Sequence, residues 1–170
     1  VKSQIHTNSK VTSAYNVLIN AEYSQSTVAS YPVETIVRGG GVGENYINAA
    51  RGATMAYQNA LRWKIDGTED NARKAIEILN AWARTTKSVS GDSNYALASG
   101  LYGYQFANAA ELMRDYDGWS ESDFNTFKQW MLKVWYPPCI GFLRGRNGTW
   151  ENAGRWCQAP GHYWSNWGLC

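Results

Sequence analysis

The stretch NYINAARGATMAYQNALRWKIDG, residues 45–67, decides the fold of this chain. Apolar side chains recur in it every three or four residues, which is the spacing of one face of an α-helix. Asp66-Gly67 is expected to end that helix. The pattern predicts a helix whose buried face carries Ile47, Ala50, Thr54, Tyr57, Leu61 and Ile65.

Three further helices are predicted downstream. The second follows the acidic residues Glu69 and Asp70, which suit a helix start. The third opens at Ser93-Asn94, and the fourth follows Ser120-x-x-Asp123, which resembles a capping box. Tyr136-Pro137-Pro138 is expected to end the fourth helix. The predicted buried faces are Ala72, Ala75, Ile76, Leu79, Trp82 and Ala83, then Ala98, Leu101, Gln105, Ala109, Leu112 and Tyr116, then Phe124, Phe127, Trp130, Met131 and Val134.

Four consecutive amphipathic helices with short turns predict an all-α fold made of antiparallel helix pairs. Such pairs build solenoids, bundles or closed α/α toroids. No strand pattern of comparable strength is visible. We expect residues 1–170 to form one domain, the N-terminal part of a larger assembly of helix pairs. Residues 1–44 form a weakly structured lead-in, with a short helix over 11–21 and a glycine-rich loop at 39–43 near the cleft.

The totals narrow the class of protein. The chain has 170 residues, with 16 basic and 14 acidic side chains. This near balance argues against a nucleic-acid partner, which normally selects a clustered basic face. No apolar run is long enough to cross a bilayer, so no membrane partner is expected. Nine tryptophans and eleven tyrosines exceed the needs of a core of this size, and we expect some of them to line a carbohydrate cleft or an interface.

The segment GRNGTWENAGRWCQAPGHYWSNWGLC, residues 145–170, concentrates the polar chemistry. It combines flat aromatic faces with amide, guanidinium and imidazole groups, a combination suited to sugar rings and carboxylates. The chain holds two histidines, and no carboxylate lies at ligand spacing from His162, so we expect neither a metal nor another cofactor. Cys139, Cys157 and Cys170 allow one disulfide, with no pairing indicated, and favour a secreted or periplasmic location.

A set of segments carries a resemblance to a known family. They are AYQ (56–58), WK (63–64), AIEILNAW (75–82), LYGYQFANAAEL (101–112) and GHYWSNW (161–167). From about residue 45 to the end, they resemble the alginate-lyase superfamily of polysaccharide lyases. The resemblance implies an α/α toroid, of which this chain is the first half. It also implies β-elimination on an anionic uronate polysaccharide such as alginate or glucuronan.

β-Elimination requires a group that neutralises the uronate carboxylate, a base for the C5 proton and an acid for the leaving oxygen. By the resemblance, His162 is the base, and Asn166 or Asn108 neutralises the carboxylate. Tyr163 is a candidate for the acid, as is Tyr104. Many relatives place asparagine directly before the histidine, whereas this chain has glycine there. The predicted substrate-binding residues are Arg155, Trp150, Trp156, Trp164, Tyr104 and Gln105.

Two other functions remain open from the sequence. A glycoside hydrolase on a similar helical scaffold would use a carboxylate pair, for which Glu111 and Glu151 are available. A non-catalytic glycan-binding protein would use the aromatic side chains alone. Unsaturated products distinguish the lyase from both. Taken singly, His162 could be a hydrogen-bonded histidine in an aromatic loop, and the tryptophans could be core or loop anchors.

Overall fold

The computed structural model describes residues 2–41 and 43–145, and helices account for most of them, which confirms the predicted all-α class. Two π-helical segments, π1 (Ser99–Gly103) and π2 (Met131–Trp135), continue directly into the helices on either side of them. Short 3-10 turns cover Lys2–Gln4 and Glu22–Ser24. The α-helices are α1 (Ser9–Asn20), α2 (Tyr46–Asp66), α3 (Glu69–Thr85), α4 (Asn94–Ala98), α5 (Tyr104–Met113), α6 (Glu121–Trp130) and α7 (Tyr136–Gly145).

The helices form stacked hairpins. Helix α2 packs along α3 and α5, and α3 also packs on α6. Three contacts show that α2 runs parallel to the π1–α5 helix, because they join residues in the same order along both. These contacts are Tyr46 with Tyr102, Thr54 with Gln105, and Trp63 with Tyr116, which lies just after α5. Equivalent helices of successive hairpins are therefore neighbours, as in an α/α toroid.

The local signals for helix ends are confirmed. Gly67 follows α2 with a φ of 79°, and its N–H donates to the carbonyl of Trp63 at 2.8 Å. Glycine adopts this left-handed conformation without steric cost. The Ser120 hydroxyl accepts a hydrogen bond from the backbone N–H of Asp123 at 3.1 Å, so the predicted cap of α6 is present. The short helix predicted over 11–21 is present as α1.

The predicted buried face of α2 is wrong. Ile47 is 47% exposed, and the buried face instead carries mainly small residues. It consists of Ala49, Gly52, Ala53, Met55, Ala56, Asn59 and Ala60. Helix α2 has neighbours on two sides, α3 and α5. Small side chains let these backbones approach closely, so they occupy the interface while larger apolar residues lie at its edges.

Tyr136-Pro137-Pro138 does not end the fourth helix, contrary to the prediction. The segment π2 lies directly before the prolines, and the N–H of Tyr136 donates to the carbonyl of Met131, five residues earlier. Proline lacks an N–H, and its ring crowds the carbonyl four residues before it. The wider π turn relieves this crowding, so the two prolines are accommodated inside a continuous helix, although neither donates a backbone hydrogen bond.

A small parallel sheet was not predicted. Strand β1 (Thr35–Arg38) pairs with β2 (Ser88–Gly91), and the register places Arg38 opposite Gly91. Each strand has four residues, too few for a clear alternation of apolar and polar side chains. Ile36 is completely buried and fixes β1 to the helical core. The sheet joins the lead-in to the segment between α3 and α4.

The tryptophans of the described region belong to the core rather than to an exposed groove. Phe106 lies at the centre of an aromatic cluster, with ring centroids 5.5 Å from Trp82, 5.2 Å from Trp130 and 5.7 Å from Trp135. Trp82 and Trp135 are completely buried. Tilted and edge-to-face pairs at these distances stabilise a core beyond simple burial. The high aromatic content is explained here by packing.

Gly52 packs directly against Trp82, so we expect Gly52→Ala to destabilise the fold. A β-carbon at Gly52 would lie 2.7 Å from Cε2 of Trp82 and would displace the indole. Overpacking of this kind lowers the free energy of unfolding by about 1–3 kcal/mol. The matched control is Gly141→Ala in α7, where a β-carbon meets nothing within 4 Å.

Chemical denaturation of both variants measures the effect. Gly141→Ala should raise the free energy of unfolding by about 0.5–1 kcal/mol, because alanine is the better helix former. Equal stabilities of Gly52→Ala and Gly141→Ala would contradict the tight contact with Trp82.

Candidate active site

A cluster of one arginine and two tyrosines lies where β1, α2 and π1 meet. The Nη1 group of Arg38 donates to the hydroxyl oxygen of Tyr102 at 3.1 Å. The guanidinium carbon lies 5.0 Å from the ring centroid of Tyr46 and 5.6 Å from that of Tyr102. The two rings are parallel, with centroids 6.5 Å apart. Planar stacking and cation–π attraction therefore fix the orientation of the guanidinium.

Asn45 connects the start of α2 to β1. Its Oδ1 accepts from the backbone N–H of Val37 at 2.8 Å, and its Nδ2 donates to the carbonyl of Thr35 at 3.0 Å. The backbone N–H of Asn45 donates to the carbonyl of Val37 at 3.2 Å. These bonds set the first residue of α2, Tyr46, beside the last residue of β1, Arg38.

The glycine run after Arg38 is held by acidic side chains. Gly39 has a φ of 84°, and a β-carbon there would overlap the carboxylate of Asp92. Asp92 follows β2, and hydrogen bonds, chiefly from the backbone N–H of Asn94, lower the pKa of its carboxyl. Further along, Gly41 N–H donates to Glu44 Oε1 at 3.1 Å. The backbone N–H of Gly40 also donates to the Asp92 carboxylate, so two carboxylates hold the turn that follows Arg38.

The phenol of Tyr102 is suited to keep its proton. The side chain is 8% exposed, and burial raises the pKa of the Tyr102 phenol above its ordinary value. The nearby Tyr46 raises this pKa further, whereas the charge and hydrogen bond of Arg38 act in the opposite direction. The net direction is upward. At neutral pH the Tyr102 hydroxyl is protonated and can donate its proton or a hydrogen bond.

The guanidinium of Arg38 forms no ion pair with a carboxylate within residues 2–41 and 43–145. Arginine binds carboxylates through two parallel hydrogen bonds. A guanidinium next to a protonated phenol can therefore bind an acid group and donate a proton beside it. This is the chemical capacity of the cluster.

The predicted site residues on α5 follow Tyr102 along the same continuous helix. Gln105 accepts a hydrogen bond from the hydroxyl of Thr54 at 3.4 Å, which places it in the contact between α2 and α5. Tyr104 and Asn108 are half-buried on the same helix. Asn108 lies six residues beyond Tyr102, more than one helical turn away. The roles predicted for these three residues stay predictions.

The other predicted site residues lie outside the described residues. These are His162, Asn166, Tyr163, Arg155, Trp150, Trp156 and Trp164. The same holds for Cys157 and Cys170, so the expected disulfide is not shown. Cys139 is buried on α7.

Sequence reasoning missed all three residues of the cluster. Arg38 and Tyr102 are 64 positions apart and meet only through the strand pairing and the helix stacking. One signal was present, since the glycine run follows Thr-Ile-Val-Arg, a short β-branched stretch typical of a strand end. If this stretch had been interpreted as a strand, Arg38 would have been predicted at the edge of a sheet, where site residues often lie.

The described residues form an all-α stack of helical hairpins. At one end of this stack, the guanidinium of Arg38 and the phenol of Tyr102 form a cluster whose chemistry suits acidic groups. The alginate lyase family model matches residues 21–136, which include the cluster and helices α2 to α6. The chain belongs to the alginate lyase family. No curated protein and no solved structure matches the sequence. Among the described residues, no helix has the length and apolar character needed to cross a membrane.

Proposed function

We propose that this protein is a polysaccharide lyase that cleaves a uronate polymer of the alginate or glucuronan type by β-elimination. The observation that carries the proposal is the charge of Arg38, which lacks an acidic partner in the described region and lies against Tyr102. Membership of the alginate lyase family supports the reaction class. The proposal includes a secreted or periplasmic location for the protein.

The proposed mechanism begins with the substrate carboxylate. Arg38 binds it and offsets its charge, so that the proton on C5 becomes more acidic. His162 removes that proton as the base. The electron pair forms the C4–C5 double bond while the C4–oxygen bond breaks. Tyr102 gives its proton to the leaving oxygen, since its raised pKa keeps it protonated at neutral pH.

The remaining predicted residues have supporting roles in this proposal. Asn166 or Asn108 adds a hydrogen bond to the carboxylate, and Arg155 binds a neighbouring uronate. Tyr163 and Tyr104 are the alternative proton donors. Trp150, Trp156, Trp164 and Gln105 contact the sugar rings and hydroxyl groups. The substrate is an anionic polysaccharide, and we propose no nucleic-acid or membrane partner and no cofactor.

The hydrolase alternative has less support. It requires two carboxylates that flank the glycosidic bond. Glu111 is engaged by Arg114 at 2.6 Å and lies near the end of α5 remote from Tyr102. Glu151, the second carboxylate of the hydrolase hypothesis, lies outside the described residues.

Ultraviolet absorbance of the conjugated product tests the proposal. The full-length protein is incubated with alginate, glucuronan and other polyuronates, and with the same polymers after reduction of their carboxyl groups. We expect absorbance to rise with at least one native polymer and with none of the reduced ones. New reducing ends without absorbance would replace the lyase by a hydrolase, and binding without new ends would indicate a glycan-binding protein.

A further inference from the structure

A second site of different composition lies between the lead-in and α2. This lead-in groove has a volume of about 420 Å³, within the range of small-molecule sites. Val28 and Met55 supply apolar lining, and the polar lining residues include Glu22, Asn48 and Arg51. Tyr31, which also lines the groove, is 69% exposed.

Both edges of the lead-in that border the groove are anchored. The indole N–H of Trp82 donates to the Ser30 hydroxyl at 2.7 Å. At the other edge, Asn59 donates to the carbonyl of Tyr23 at 3.0 Å, and Asn71 donates to the carbonyl of Ser24 at 2.8 Å. Burial makes these bonds costly to break. The groove is therefore preformed, and a ligand does not have to order its walls.

Arg51 differs from four other arginines in the described part of the chain. Arg62, Arg73, Arg84 and Arg114 each form an ion pair with a carboxylate. Arg51 is exposed, and no acidic side chain within residues 2–41 and 43–145 pairs with it. Its neighbours one turn away on α2 are Ile47 and Met55, so its guanidinium is available to a ligand beside the groove.

We propose that the lead-in groove binds a uronate unit of the polysaccharide outside the catalytic cluster. Arg51 binds the sugar carboxylate through two hydrogen bonds, and the exposed ring of Tyr31 packs against the apolar face of the sugar. Asn48 and Glu22 accept hydrogen bonds from hydroxyl groups. This inference rests on the proposed function for the identity of the ligand.

The position of Arg51 suits a polymer that also reaches the cluster. Tyr46 and Arg51 are five residues apart on α2, a separation of about 7.5 Å along the helix axis. They lie on different sides of the helix, so a single sugar does not contact both. In this proposal a longer oligosaccharide contacts both, and the groove would then increase affinity for long substrates more than for short ones.

Binding of saturated alginate and glucuronan hexasaccharides to the full-length protein, followed by calorimetry, tests the groove. Arg51→Gln should weaken binding of the preferred hexasaccharide about tenfold, the loss expected for one charge-assisted contact. Tyr31→Ala should weaken it about threefold to tenfold. Lys10→Gln on α1 removes one positive charge elsewhere and should bind as the wild type does. Circular dichroism confirms that each variant is folded.

Ligands without carboxylates complete the test. After reduction of the carboxyl groups, the hexasaccharide should bind equally to wild type and Arg51→Gln, because the charge contact is gone from both. Equal binding of the native hexasaccharide to Arg51→Gln and Lys10→Gln would overturn the inference, even if the protein is an active lyase. If the protein releases no unsaturated product but Arg51→Gln still loses carboxylate-dependent binding, the groove stands and the lyase proposal fails.

Discussion

Arg38→Gln should lower kcat/KM for the uronate polymer by about two to three orders of magnitude, the range measured when one preorganised donor to a developing charge is lost. The glutamine amide can fill part of the space between Tyr46 and Tyr102, but it carries no charge. The substrate carboxylate would then keep its negative charge, and its C5 proton would remain weakly acidic. Initial rates of absorbance increase over a range of polymer concentrations measure the effect.

Two controls separate catalysis from folding. Arg73→Gln removes an exposed arginine that pairs with Asp70, and surface pairs of this kind contribute about 0–1 kcal/mol to stability. It should leave kcat/KM unchanged. A loss of activity in Arg38→Gln that is matched by a large drop in Tm would assign Arg38 a structural role between β1 and π1. Normal activity in a folded Arg38→Gln would remove it from the mechanism.

The pH profile adds an independent readout for the same variant. In the wild type, the positive charge of Arg38 lowers the pKa of Tyr102, while burial raises it by more. Without Arg38, the pKa of the Tyr102 phenol therefore moves further upward. If Tyr102 is the proton donor, the alkaline limb of kcat/KM shifts to higher pH in Arg38→Gln. An unchanged alkaline limb in the folded variant would argue against Tyr102 as the acid.

The helices could be predicted because their signals are local. The Ser120 cap, the stop at Gly67 and the stripe on α3 each depend on residues within a few positions of one another. The buried face of α2 could not be predicted in the same way. Its orientation depends on two neighbouring helices at once, and alanine carries too little hydrophobic signal to outweigh the larger Ile47.

The candidate site is a long-range feature, and this limits what the sequence reveals. Arg38, Tyr46 and Tyr102 come from a strand, a helix start and a π segment. Their proximity depends on a sheet of two four-residue strands, in which Gly91 is required because a β-carbon would overlap the carbonyl of Arg38. Neither the pairing of these strands nor the π segment has a periodic signal. The predicted residues of 145–170 were instead found by composition and by resemblance.

Asn71→Leu should lower the free energy of unfolding by about 3 kcal/mol, since a buried acceptor that loses its donor costs about 1–3 kcal/mol. Asn59 Oδ1 loses its donor, and the Ser24 carbonyl keeps only a 3.5 Å contact from Arg62. The Nδ2 group of Asn71 donates to Asn59 Oδ1 at 2.6 Å and to the carbonyl of Ser24 at 2.8 Å. Asn59 and Ser24 are completely buried and Asn71 is 2% exposed. Water therefore cannot replace the lost donor without local opening.

The double variant Asn59→Leu/Asn71→Leu distinguishes a hydrogen-bond effect from simple overpacking. In the double variant, residue 59 is also leucine, so no unsatisfied Oδ1 remains there. The losses of stability measured for the two single variants should therefore add up to more than the loss measured for the double variant. Strict additivity would show that the two amides act independently. Asn16→Ala, on the exposed side of α1, should change stability by less than about 0.5 kcal/mol. Wild-type stability of Asn71→Leu would show that the lead-in is not held to the hairpin through this network.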